Sequence, residues 1–501
     1  MSAPRIPLNF FGMPFGLEAA GAVGEDVLAG LSDLQHGLGV LADSSLLSVQ
    51  EALPGEPRYS MLETVRECGL ELLEGSGEGE AVRERLAHYC MTLAEAAEVE
   101  LHGANQAQWM ARLDREHGTL LLLLRWTRES GRLLIGLRIA RALWRFWYAR
   151  GYLSEGRRHL DALLSAVPDI ALLPPAVTAK ALRGAAVLAA VQGDYTRAET
   201  LANEGLRLYR ELSDIRGEAA MLVILGGVSH YMGDYSAART RYGESLSLFR
   251  SVDDEPSISV ALNNLANIAK EQGDTIQSMR LYEESLAIKR RLGDARGIAI
   301  TLNNLGTIAL AQGAYDRAAA LGEEALTSLR ALGDKDVTAA IDTVARAALH
   351  RGDTGRAAAL YDEGLQVSYA AGDRELIAFC LEGTGRVAAA EGRMERAGTL
   401  YGAREALRGS RGCSACPLRS TGARGVSSSR KARARWRGLR AGLGSRNPHG
   451  SGGGDLIRSG PCSTGRGALG VDRPAAWGVA EPPASPPARS RIVRYASCGH
   501  G

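Results

Sequence analysis

Long apolar runs are missing from this sequence. None reaches the roughly 20 residues needed to cross a bilayer, and the run Leu120 to Leu124 ends at once in Arg125. The N-terminus, Met1-Ser-Ala-Pro-Arg-Ile-Pro, lacks the apolar core of a secretory signal. These absences predict a cytoplasmic protein with no membrane partner. The seven cysteines (Cys68, Cys90, Cys380, Cys413, Cys416, Cys462 and Cys498) are an odd, scattered set, which argues against a disulfide framework. Lys never follows Gly, so no G-x-x-x-x-G-K-[ST] loop exists to cradle nucleotide phosphates. G-x-S-x-G and H-E-x-x-H are absent too, and His36, His88, His102, His117, His159, His230 and His350 stand apart from ligand-spaced partners. Glu283-Glu284 and Glu323-Glu324 read as solvated helix positions. No catalytic residue, cofactor or metal is expected. Aromatics are only 5% while Gly reaches 60 residues, a balance that suits closely packed helices better than a β-sandwich.

Hydrophobic content of 45% and a formal charge of +2 place the chain in the globular class. That average charge conceals a division. From residue 409 onward, sixteen basic residues face three acidic ones, a net +13, which leaves −11 for residues 1–408.

Between the absences lies a repeat. Short turns recur around Gly193, Gly233, Gly273, Gly313, Gly352 and Gly392, at spacings of 40, 40, 40, 39 and 40. A second series, Asp214, Asp254, Asp294, Asp334 and Asp373, interleaves at 40, 40, 40 and 39. Two turns per period make a helix–turn–helix unit. Gly is the expected left-handed terminator of the first helix, and Asp can cap the next one. Small and large positions keep register: Leu225, Gly226, Ala238, Tyr242 and Ser245 answer to Leu265, Ala266, Ser278, Tyr282 and Ser285. The following unit has Leu305, Gly306, Ala318 and Ala325, with Gly322 in the place of the tyrosine. Such units bury too little alone and gain stability by stacking on neighbours. The pattern resembles the tetratricopeptide repeat, here lengthened by roughly six residues. It predicts an all-α fold, a right-handed superhelix of helix pairs over residues 173–408.

Residues 76–172 read as a helical region whose last part, 131–169, is a degenerate further unit. Its aromatic cluster Trp144, Phe146, Trp147 and Tyr148 reads as core rather than as a ligand box. Residues 1–75 are expected to form a truncated winged-helix-like segment. In it, Ser45 to Gln50 and Arg58 to Met61 form two short strands around Pro54-Gly-Glu-Pro57. Three stretches, Phe11 to Ala20, Leu41 to Leu47 and Arg58 to Arg66, resemble the segment that joins ATPase to repeats in bacterial STAND-type regulators. Gln108-Trp109 through His117 and Leu143 to Trp147 share the resemblance, as in the predicted ATPases of LuxR type. The resemblance covers roughly residues 10–408. It implies signal transduction and transcription regulation. It does not carry over ATP hydrolysis, because the nucleotide-binding module has no counterpart here; a separately encoded ATPase module is then one candidate partner.

Residues 409–501 lack helical or strand periodicity and predict a disordered basic tail. Three readings stay open. Ser427 to Arg440, with Trp436, could bind nucleic acid. Cys413, Cys416, Cys462, Cys498 and His500 could hold zinc, although a second closely spaced pair is missing. The leading reading is out-of-frame translation, since the pattern breaks in mid-repeat after Arg408.

In such a superhelix the first helix of each pair lines the concave surface. The groove set is therefore Asn263, Asn264, Asn267, Lys270, Asn303 and Asn304, with Arg183, His230, Tyr231, Arg346 and Arg386 from neighbouring units. Asn carries both a donor and an acceptor and can hold an extended peptide backbone, or it can bridge helices. The expected function is a non-enzymatic protein- or peptide-binding scaffold. The alternative is a DNA-binding regulator acting through the winged element or the tail, yet residues 15–45 contain no Arg, Lys or Asn.

Overall fold

In the computed structural model, the described residues are 14–24, 31–53, 56–101, 105–168, 172–334, 336–370 and 373–409. The basic tail and its cysteines lie outside them. The described residues fall into two compact units that divide after Arg351.

The first unit opens with a small mixed module. Strand β1 (Phe15–Gly16) leads into α1 (Leu17–Gly24) and α2 (Leu31–Asp43), followed by strands β2 (Leu47–Leu53) and β3 (Glu56–Met61). The three strands form one antiparallel sheet in the order β1-β3-β2. The two long strands match the expected hairpin, and β1 is an addition to it. Helix α3 (Glu63–Ser76) then leads to α4 (Gly79–Glu100), α5 (Gln106–Glu129), α6 (Leu133–Arg150) and α7 (Leu153–Ala166). Arg58 on β3 fixes the module to these helices. Its guanidinium donates to the Glu116 carboxylate and the Pro14 carbonyl, and to the Arg115 carbonyl at 3.1 Å. Both partners of the ion pair are buried. A second set of charges joins α6 to α4, where Arg138 and Arg141 bind Glu95 and Glu98 at 2.7–2.8 Å.

The aromatic cluster of α6 is core. Trp147 and Phe146 are fully buried, and Trp147 lies on Gly156 of α7 so closely that a Cβ there would meet the indole at 2.5 Å.

From Pro175 the period takes over. The helix pairs are α8 (Pro175–Val191) with α9 (Tyr195–Glu211), α10 (Ile215–Met232) with α11 (Tyr235–Ser251), α12 (Glu255–Glu271) with α13 (Thr275–Leu292), and α14 (Ala295–Ala311) with α15 (Tyr315–Leu332). Each first helix packs on its own second helix and on the second helix of the pair before it. This is the all-α solenoid of helix pairs that the spacing predicts. α16 (Val337–His350) ends the first unit. The second unit holds α17 (Thr354–Ala370), α18 (Arg374–Ala390) and α19 (Met394–Gly409).

The turns obey local chemistry. All six repeat glycines adopt positive φ, between +74° and +84°, where a side chain would be strained. The Asp214, Asp254, Asp294 and Asp373 side chains accept from backbone N–H groups two or three residues on. Asp194, Asp234, Asp274 and Asp353 do the same at the other turn. The single 39-residue period falls on α16, which has 14 residues where the other first helices have 17 or 18.

Glycine also sets the helix spacing. Tyr209 lies across Gly217 and Tyr242 across Gly226, so near that a Cβ would sit 2.0 and 2.8 Å from the rings. Where Gly322 replaces the tyrosine, α16 moves into the space. Val344 Cγ2 lies 2.8 Å from the Cβ position of Gly322, and Thr343 Cγ2 lies 3.0 Å from that of Gly306. Among the described residues, no helix is long and apolar enough to cross a membrane.

Candidate docking face

The first helices of the pairs repeat one another position by position. One column runs Arg183, Val223, Asn263, Asn303 and Asp342 on α8, α10, α12, α14 and α16. A second runs Val187, Gly227, Asn267, Thr307 and Arg346, and a third Ala190, His230, Lys270, Leu310 and Leu349. Polar side chains on otherwise apolar helices are the feature to be explained, because each must find a partner or lose hydration.

Several find one within the stack. Asn303 accepts from the Thr343 hydroxyl at 2.7 Å, tying α14 to α16. Asn267 accepts from the Tyr282 hydroxyl of α13, and both residues are buried. Asn263 lies 3.5 Å from the Thr301 hydroxyl, whose hydrogen is better directed at the Gly297 carbonyl at 2.8 Å. Asn264 and Asn304 are buried as well, and the Asn304 carbonyl accepts from Thr307 at 2.7 Å. Bridging between helices thus occupies the Asn267 and Asn303 oxygens.

The charged members differ. Arg183 is buried, with its guanidinium 5.9 Å from the centre of the Trp144 ring. Arg346 pairs with Asp342 one turn back, at 3.5 Å. Arg386, in the second unit, makes the equivalent pair with Glu382 at 2.8 Å. The Lys270 side chain is half-buried and, among the described residues, makes no hydrogen bond or ion pair. Its ammonium acts on His230, the same position one helix earlier. Burial, with the Lys270 ammonium acting in the same direction, holds His230 down to about 4, so the imidazole is neutral at pH 7.

Aromatic stacks were not anticipated as a group. Tyr231 stacks on Tyr195 with centroids 5.6 Å apart and planes within 9°, and His230 lies 5.7 Å from Tyr231 and 5.9 Å from Tyr235. Tyr315 and His350 form a closer stack at 4.2 Å and 7°. Their signal in the sequence was the tyrosine that follows the turn at Tyr195, Tyr235 and Tyr315.

A cleft of about 530 Å³ opens elsewhere, over Leu206, Leu222 and Leu225 between α9, α10 and α11. Its arginines are committed: Arg241 to Ser229 at 2.7 Å and to Glu199 at 3.3 Å, Arg210 to Glu218 at 2.7 Å. Among the described residues, no three His, Cys, Asp or Glu side chains converge as metal ligands would.

The tetratricopeptide repeat family model matches residues 257–331. Proteins assigned as HTH-type transcriptional regulators in Mycobacterium tuberculosis and Mycobacterium bovis are 34% identical over 127 residues, 25% of this chain and 14% of theirs. The chain therefore matches about a seventh of the length of these relatives. Among solved structures, the STAND protein with a tetratricopeptide repeat sensor from Pyrococcus horikoshii gives a TM-score of 0.43 at 14% identity, over 81% of this chain and 62% of that one. Aspartyl phosphate phosphatase F from Bacillus subtilis gives 0.46 at 12%, over 84% and 98%. A Rap protein in complex with Competence and Sporulation Factor gives 0.43 at 13%, over 63% and 98%.

Proposed function

We propose that this chain is a non-enzymatic docking scaffold, the sensor or interaction arm of a bacterial signalling or transcriptional regulator. It holds a protein or peptide against the first helices of its repeats. The observation that carries this reading is the column Arg183, Val223, Asn263, Asn303 and Asp342, polar at four of its five positions where a purely structural stack would gain more from apolar side chains. The neighbouring positions Asn264, Asn304, His230, Tyr231 and Lys270 complete the face, and Arg346 extends it. The regulatory setting rests on the partial identity with the mycobacterial regulators. Direct DNA reading by the hairpin module finds no support: Arg58 is the single Lys or Arg in residues 14–61, and it is turned inward onto Glu116.

The test is capture of partners from a bacterial lysate on the immobilised full chain, compared with an Asn264→Ala/Asn304→Ala variant of matched thermal stability. Proteins retained by the wild type and lost by the variant support the docking face. Equal retention by both removes it.

A further inference from the structure

Charge is spread unevenly along residues 1–408. Residues 14–80 hold thirteen acidic and two basic residues, a net −11, which is as large as the net charge of residues 1–408 together. Both cations are already engaged: Arg58 is buried on Glu116, and Arg66 donates to Glu63. Helix α3 closes this acidic module. Leu73 is the one buried residue among its described side chains, and the helix packs on α4. Leu62 stands just before α3 and already belongs to its hydrogen bonding, since the Arg66 N–H donates to the Leu62 carbonyl at 2.9 Å. Leu62, Val65, Gly69 and Leu72 follow one another at steps of three, four and three, the spacing of a helix–helix seam. Yet Leu62 is 65% and Leu72 is 72% exposed. Elsewhere in the module Glu18 pairs with Arg112, and Glu80 with Arg83 and Arg132. Glu67 and Glu71, exposed on α3, make no hydrogen bond or ion pair among the described residues. With Glu63 they form a like-charged column at four-residue spacing, which by itself weakens the helix.

We propose that this stripe of α3 is a second docking surface, separate from the first-helix face, and that its occupant is a basic amphipathic helix of a partner protein. The apolar seam sets the shape, because three-four-three spacing accepts the ridge of one helix laid along α3. The charge sets the chemistry. Leucines of the partner cover Leu62 and Leu72, and its lysines or arginines reach past them to Glu67 and Glu71, as long basic side chains do over apolar surface. A phosphate-rich partner, whether nucleic acid or lipid headgroup, is repelled by the same field. A second copy of this module is as acidic as the first and is disfavoured for the same reason.

The experiment uses the full chain and two fluorescein-labelled three-heptad helical peptides. Both carry leucine at the seam positions, one with lysine and the other with glutamate elsewhere. Fluorescence anisotropy is expected to show the lysine peptide binding tighter by about tenfold or more. Leu62→Asp/Leu72→Asp should abolish that binding with an unchanged melting temperature, since both side chains are exposed. Leu332→Asp, at a position 50% exposed on α15, should leave it unchanged. Glu67→Gln/Glu71→Gln should weaken it and flatten its dependence on salt. Bound peptide should also protect Cys68, exposed one turn before Leu72, from alkylation. Equal binding of the two peptides, binding that survives Leu62→Asp/Leu72→Asp, an unprotected Cys68, or no binding by either peptide would each overturn the surface. Self-association of the full chain that the leucine double variant abolishes would overturn it too, by making a second copy the occupant. The Asn264→Ala/Asn304→Ala variant should bind the lysine peptide as the wild type does, so the two docking faces stand or fall separately.

Discussion

The Tyr282 hydroxyl donates to Asn267, whereas the hydroxyl of Tyr242, one period earlier, has no partner among the described residues. Gly227 stands where the later repeat has Asn267. Both tyrosines are fully buried, so the same ring is held in two different polar settings. Burial also pushes the Tyr242 phenol far up from its ordinary value.

Removing each hydroxyl should therefore have opposite consequences. Tyr282→Phe leaves the Asn267 oxygen buried and unpaired and should cost about 1–2 kcal/mol. Tyr242→Phe removes a group that is already unpaired and should be neutral or stabilising. Urea denaturation of the two variants checks the pair. Equal losses would mean that the hydrogen bond does not distinguish these repeats.

Glycines offer a second contrast. A Cβ at Gly217 would sit 2.0 Å from the Tyr209 ring, so Gly217→Ala should destabilise by about 1–3 kcal/mol through overpacking. Gly243, inside α11, meets nothing within 4 Å. Gly243→Ala should gain up to about 1 kcal/mol from helix propensity. Thermal melts of both variants separate glycine required by packing from glycine merely tolerated.

Lys289 is 4% exposed and donates to the Thr301 hydroxyl at 2.8 Å. Burial pushes its ammonium from 10.5 down to about 8, with Asp294 opposing the shift and Arg296 adding to it. Between these values the unfolded chain binds the proton more tightly than the folded one, so this group makes stability rise with pH. The effect should show from about pH 8 to 9.5, below the range in which ordinary tyrosines ionise. Lys289→Met should remove that slope and stabilise the protein at pH 7 by about 1–3 kcal/mol. Thr301 keeps its bond to the Gly297 carbonyl. Denaturation midpoints across this pH range decide the matter.

Breaking the buried Arg58–Glu116 pair from one side should be costly. Arg58→Met leaves Glu116 buried without its cation and should cost about 3–5 kcal/mol. The loss should be local, with hydrogen exchange rising in β3 and α5 before it rises in α10 to α15. A uniform rise across the whole first unit would show instead that the module and the repeats unfold together.

The repeat was legible because its turns use residue types with few substitutes. Gly193 and its equivalents enter the left-handed region, and Asp214, Asp254, Asp294 and Asp373 cap, so both leave marks along the repeat. The end of α6 is marked in the same way by Gly151, which also takes positive φ. β1 could not be read, since two residues carry no period and Phe15 pairs with Tyr59 across more than forty positions. Whether Asn267 and Asn303 faced partners inside or outside the stack was also invisible, because their oxygens are taken by Tyr282 and Thr343, 15 and 40 residues away. The burial of Lys289 had the same cause: its position follows from how α13 and α14 meet, and no neighbour in sequence announces it.

The turns described above complete their backbone hydrogen bonds locally, glycine closing one helix and aspartate opening the next, while Asp194, Asp254 and Asp334 also pair with Arg157, Arg216 and Arg296 of the preceding unit. A 40-residue unit therefore carries both of its own seams. Duplicating or deleting one whole unit leaves every remaining turn intact, and only one stacking interface has to be re-formed. The shortened α16 shows that a lost residue can be absorbed at one helix start, where Asp334 accepts from the Asp336 N–H instead of capping, while the glycine turn at the other end keeps its positive φ. Array length is thus open to inheritance in whole steps, and the span of partner that the protein can hold would lengthen or shorten one rung at a time.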